Sequence, residues 1–161
     1  MEEQKIKNLI KGWYENKTKL KSDPFFKFLC LWICFNAWLD YCSGKNSDGE
    51  MIKWLVVQTP ENSDLIAEYE HAKETELFKK SLERLVAGSP VEDSRGSRSS
   101  VIIQDANDRK NIIRAIYKIR CNLFHGGKNS NDQRDKKLVM DAGEILEKWI
   151  SNLISSWKNK K

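Results

Sequence analysis

Asp23-Pro24-Phe25-Phe26-Lys27-Phe28-Leu29-Cys30-Leu31-Trp32-Ile33-Cys34-Phe35-Asn36-Ala37-Trp38-Leu39-Asp40-Tyr41-Cys42 is the stretch whose reading decides the fold. Asp23 offers a carboxylate to the exposed N–H groups of a first helical turn, and Pro24 has the φ angle that the first helical position wants. From Phe25 to Cys42 the residues are apolar on nearly every side of a 3.6-residue helix, the pattern of an element surrounded by protein. The greasiest run, Phe28 to Phe35, has eight residues, against the roughly 20 that a bilayer span needs. Lys27, Asn36 and Asp40 interrupt its extension, so we read a central buried helix and no membrane segment. Asn36 inside it must find hydrogen-bond partners. It is either a structural node or a group facing a site, and we favour the node.

Outward from this helix the chain keeps the same period. Ile6, Leu9, Ile10, Trp13, Tyr14 and Leu20 recur at steps of three and four, predicting an amphipathic helix over 3–20. After the polar loop 43–49, the short apolar segment 50–58 reads as a short helix. Thr59-Pro60-Glu61-Asn62 breaks it. Ser63-Asp64 caps a further helix predicted over 65–87, whose early part is so polar that His71 reads as solvated. An irregular loop spans about 88–107; its arginines, Arg95 and Arg98, stand among serines, suited to phosphate contact or simply to solvent. Val101-Ile102-Ile103 within it is expected to pack back as a short extended piece. Asn107 or Asp105 can start the next helix, in which Ile112, Ile113, Ile116, Ile119 and Leu123 hold helical spacing over about 108–125, with Arg109, Lys110, Arg114 and Lys118 on the other face. A last amphipathic helix is expected over 134–157, followed by a basic tail, 158–161, that frays. The fold class is therefore all-α: one domain over 1–161, read as an up-and-down bundle of four long helices plus a short one, although the segments named above number five long and one short.

Composition narrows the function classes. Hydrophobic residues at 40% and charged residues at 32% fit a folded chain with a real core. The formal charge of +5 is compatible with an anionic partner without requiring one. Cys30, Cys34, Cys42 and Cys121 form no Cys-x-x-Cys pair and no Cys/His group with zinc spacing. We read them as buried reduced thiols, which suits a cytoplasmic location. The N-terminus lacks the apolar core of a signal peptide. No Gly-rich phosphate loop or zincin motif is present, and we expect no cofactor and no metal.

Chemistry concentrates in Ile119-Arg120-Cys121-Asn122-Leu123-Phe124-His125-Gly126-Gly127-Lys128. Glycines directly after a helical pattern stop a helix, which puts His125 in the last turn, where the helix dipole favours an imidazolium. Histidine exchanges protons near neutrality. Arg120 offers a planar fork suited to a phosphate or a phosphorane. Five residues on a helix lie about 140° apart, so the two side chains share a face only loosely. The same pair has a plainer reading, in which Arg120 meets an acid on a neighbouring helix and His125 caps carbonyls.

The run Arg120-Cys121-Asn122-Leu123-Phe124-His125-Gly126 resembles the signature of the HEPN superfamily (higher eukaryotes and prokaryotes nucleotide-binding domains): an arginine, four to six residues, then a histidine, at the end of a late bundle helix. Phe28 to Ala37 is similar to the early core helix of that superfamily. The position after the arginine, polar in many ribonuclease members, holds Cys121 here, and Asn122 is the bearer we assign to that polar role. The resemblance implies an endoribonuclease that needs no metal, acting as a homodimer. The RNA 2′-hydroxyl attacks the adjacent phosphodiester, leaving a 2′,3′-cyclic phosphate and a 5′-hydroxyl. Arg120, His125 and Asn122 would be catalytic, with Lys128, Arg114 and Lys118 guiding the RNA backbone. Each chain has one well-placed histidine, whereas the reaction uses a base and an acid. A two-fold dimer joining two His125 side chains would supply both. Such a protein would be a toxin or antiviral effector released from an antitoxin or other inhibitor. The alternatives are a non-catalytic HEPN dimer that binds nucleotide, nucleic acid or a partner protein, and a helical scaffold of another kind.

Overall fold

A computed structural model of the chain describes residues 2–19, 23–93, 99–125 and 132–159. Among them run seven α-helices: α1 (Glu3–Asn16), α2 (Pro24–Ser43), α3 (Asp48–Leu55), α4 (Asp64–Lys73), α5 (Glu76–Ala87), α6 (Arg109–Phe124) and α7 (Gln133–Asn159). The chain is all-α. α2 starts as its sequence dictates, with the Asp23 carboxylate accepting from the Phe25 and Phe26 N–H groups at 2.9 and 3.2 Å. It ends at Gly44, whose φ of 58° is the left-handed cap that glycine adopts without strain. By length and composition α2 is the one described helix able to cross a bilayer. Its Phe28, Leu31, Trp32, Phe35, Trp38 and Leu39 are instead buried in protein.

The long α7 is the other axis of the core. Phe35 lies on Trp149 with ring centroids 4.9 Å apart, and Trp38 lies on Trp157 at the same distance, so α2 and α7 run side by side in one direction. α1 runs against them: Lys7 sits over the Trp157 ring near one end, and Lys17 pairs with Glu147 further along. α5 also runs against α7, with Ser81 bonded to Glu144 and Arg84 to Asp141. Trp149, fully buried, donates its indole N–H to the Leu65 carbonyl at 2.6 Å and packs edge-on to Tyr69, tying α4 to the same centre. One hydrophobic cluster draws side chains from all seven helices.

Several expectations are corrected. The predicted helix over 65–87 is two helices, because the chain leaves helical geometry at Thr75 (φ −90°, ψ 137°), whose hydroxyl donates back to the Ala72 carbonyl at 2.7 Å. The bend lets both pieces lie on α7 and sets Tyr69 edge-on to Phe78. α1 stops at Asn16, short of the predicted end, and α7 stays helical through Asn159. Asn36 is no hydrogen-bonding node: its Oδ1 is enclosed without a protein partner. Cys30 and Cys34 are buried and reduced as expected, whereas Cys42 is exposed and Cys121 half-buried. His71 is solvated as read, its Nδ1 3.3 Å from Glu68. Val91 and Val101 pair as a single antiparallel bridge, and Ile103 is buried, so the connection between α5 and α6 does pack back; Arg95 and Arg98 fall outside the described residues.

Candidate functional site

α6 carries the candidate residues, and its limits come from the sequence. Asp108 caps its start, accepting from the Asn111 N–H at 3.3 Å and from the Asn111 side-chain amide at 2.9 Å. Arg109 then fastens this end, giving one hydrogen bond to Glu70 at 2.7 Å and one to the Gln58 carbonyl at 3.0 Å. At the far end His125 is the C-cap residue (φ −96°, ψ 13°), its N–H donating to the Cys121 carbonyl at 3.1 Å. Its side chain is exposed. The apolar positions Ile112, Ile113, Ile116 and Ile119 are buried and fix the roll of the helix.

That roll sends two stripes of side chains in different directions. Tyr117, Arg120 and Phe124, at steps of three and four, form one stripe. The Tyr117 ring meets Trp32 of α2 at 6.1 Å. Burial, followed by its hydrogen bond to Cys121 and the nearby Cys121 and Asp48 charges, pushes the phenol up to about 12. Arg120 lies between these groups and solvent. One terminal nitrogen is 2.6 Å from Asp48 Oδ2, in the first turn of α3, and the pair is about three-quarters shielded. The guanidinium carbon stands 4.5 Å from the Phe124 ring centre and 5.7 Å from that of Trp32, both within cation–π range. Its Nε is enclosed with no protein partner. Ser47 presents Asp48 by capping α3, and Gly49 packs close to the Tyr117 hydroxyl.

The second stripe faces the connection between α5 and α6. Asn122, 2% exposed, donates from Nδ2 to the Glu92 carbonyl at 2.8 Å. Lys118 reaches Asp93 at 3.0 Å and Ser99 at 3.3 Å. Arg134 of α7 bonds the Pro90 carbonyl at 2.9 Å. Asn122 and Lys118 therefore hold this connection against α6. Arg114 is exposed and donates to Asn111. Lys128 lies outside the described residues.

Sequence reasoning missed Asp48 and the two rings around Arg120. It named an acid on a neighbouring helix only as a type, and nothing in the local pattern singles out Asp48. The arrangement can present a fixed cation and an exposed imidazole at one helix end. Among the described residues no group of three or more His, Cys, Asp and Glu side chains has the geometry to hold a metal ion. No protein-family model, curated protein or solved structure matches the chain.

Proposed function

We propose that the protein is a HEPN-type endoribonuclease, an all-α bundle that cuts RNA without a metal at a site completed by a second copy of the chain. The observation that carries this reading is the end of α6. An immobilised arginine, Arg120, precedes an exposed C-cap histidine, His125, by the spacing of the signature. In the proposed reaction His125 of one protomer takes the proton of the RNA 2′-hydroxyl while its oxygen attacks phosphorus. The bond from phosphorus to the 5′-oxygen breaks, and His125 of the second protomer protonates that oxygen. Arg120 stabilises the negative charge that builds on the non-bridging oxygens. The products are a 2′,3′-cyclic phosphate and a 5′-hydroxyl. Such an activity suits a cytoplasmic toxin or defence effector restrained by an inhibitor protein.

A second reading, a non-catalytic HEPN dimer that binds nucleic acid or a partner, is favoured by the engagement of Asn122. The amide assigned the polar helper role is buried on a backbone carbonyl. Incubating a generic RNA in EDTA with wild type, His125→Ala and Arg120→Ala decides between them. The nuclease reading expects cleavage by the wild type, ending in cyclic phosphate, and its loss in both variants. Equal activity in all three proteins rejects the mechanism, and absence of cleavage with RNA binding intact selects the second reading.

A further inference from the structure

α3 presents to solvent a hollow that the reaction scheme does not use. It has a volume of about 340 Å³ and is lined by Lys45, Glu50, Lys53 and Trp54. Trp54 is half-buried: one side packs on the core and the rest borders the hollow. Lys45 and Lys53 are exposed, and among the described residues neither is paired with a carboxylate, although pairing is frequent elsewhere on this surface. Glu50, the one acid lining the hollow, accepts from the Ser47 hydroxyl at 3.1 Å. The hollow belongs to the helix that begins with Asp48, the partner of Arg120. Six residues of helix, about 9 Å of rise, separate Asp48 from Trp54.

An indole held by the core and flanked by two unpaired ammonium groups has the chemistry of a platform for one unstacked base between backbone phosphates. We propose that this hollow is a single-stranded RNA subsite, in which a base stacks on Trp54 and Lys45 and Lys53 take the adjoining phosphates. The subsite rests on the reading of RNA as substrate. Its residues sit on α3 and, for Lys45, in the turn that leads into it, away from the helix that carries the reacting pair, so it acts on affinity and register and leaves proton transfer alone. An acidic peptide would use the lysines but would gain nothing specific from the indole.

The test measures binding of a fluorescent single-stranded RNA to the full-length chain carrying His125→Ala, which removes cleavage from the measurement. Trp54→Ala in that background should weaken binding by roughly 5- to 150-fold, the effect of losing one stacked base. Trp54→Phe should retain most of the affinity. Replacing Lys45 and Lys53 together by alanine should lower the slope of log affinity against log salt by roughly 0.7 per lysine. RNA binding unchanged in Trp54→Ala overturns the subsite. So does a Trp54→Phe variant that melts like its parent yet binds as weakly as Trp54→Ala, and so does polyglutamate competing as well as RNA. A wild type that binds RNA through Trp54 but never cuts it ends the nuclease reading and leaves the subsite standing. A chain that neither binds nor cuts RNA ends both.

Discussion

A guanidinium that is to meet a phosphate works best when its rotamer is settled beforehand, since a free arginine loses side-chain entropy on binding. Arg120 meets this condition through Asp48 on one side and the Trp32 and Phe124 rings on the others. A lysine there would keep the charge and lose the fork and the stacking. Under the proposed reaction Arg120→Ala should lower kcat by roughly 100- to 1,000-fold, the effect of removing one stabiliser of the transition-state charge. Arg120→Lys should restore little of it. Single-turnover cleavage assays on folded variants check both. Asn122 carries the opposite expectation. Its burial and its bond to the Glu92 carbonyl mean that Asn122→Ala leaves a carbonyl without its donor, a loss of about 1–3 kcal/mol. Urea unfolding should register that loss, while activity per folded molecule stays close to wild type. A large fall in that activity with unchanged stability would return Asn122 to the catalytic set.

At the scale of elements, α6 is the helix that carries the candidate residues, and its N-terminal cap is a titratable group. Burial raises the Asp108 carboxyl. Hydrogen bonds from the Asn111 side chain and from the Gln104 and Asn111 N–H groups outweigh it, and the folded-state value lies below the ordinary one. A depressed carboxylate stabilises the fold above its unfolded value of about 3.9, and that stabilisation disappears as pH falls through the folded value. Asp108→Ala should therefore cost about 1 kcal/mol at neutral pH. The gap between variant and wild type should close below pH 4 or so, as measured by thermal unfolding across pH. The extent of α6 was legible to within a residue from the run of isoleucines and the Gly126-Gly127 stop, whereas its cap was not: Asn107 or Asp105 was the expected start, and the cap falls on Asp108. The break at Thr75 was not legible. Period alone runs through it, and what decides the bend is tertiary, the seating of Tyr69 against Phe78 and Trp149. Nor was the partner of Arg120, because α3 and α6 meet only in the folded chain, and local spacing carries no signal for a carboxylate so distant in sequence.

At the scale of the molecule, the core that supports α6 converges on Trp149, which touches Phe35 of α2 and Tyr69 of α4 and bonds the Leu65 carbonyl. Trp149→Ala should cost about 3–5 kcal/mol, a large share of the roughly 5–15 kcal/mol that holds a domain together. A strongly lowered melting temperature in calorimetry, or loss of a cooperative transition, is the expected result. The dimer is the remaining step from fold to proposed activity, and it makes a prediction that a monomeric enzyme cannot share. If one cleft needs His125 from both protomers, a dimer with a single His125→Ala subunit lacks either the base or the acid. Unfolding and refolding wild type together with an equal amount of His125→Ala should leave about one quarter of the dimers with both histidines, by random pairing within a two-fold assembly. Since half of the chains are wild type, activity per wild-type chain should fall to about half of its value in the unmixed protein. An enzyme whose chains act alone would keep that value unchanged. Sedimentation of the mixture shows that subunits are paired, and tags on the two versions show that they have exchanged. With exchange established, undiminished activity per wild-type chain would place the base and the acid within a single protomer, and the second proton carrier would then have to be sought beyond His125.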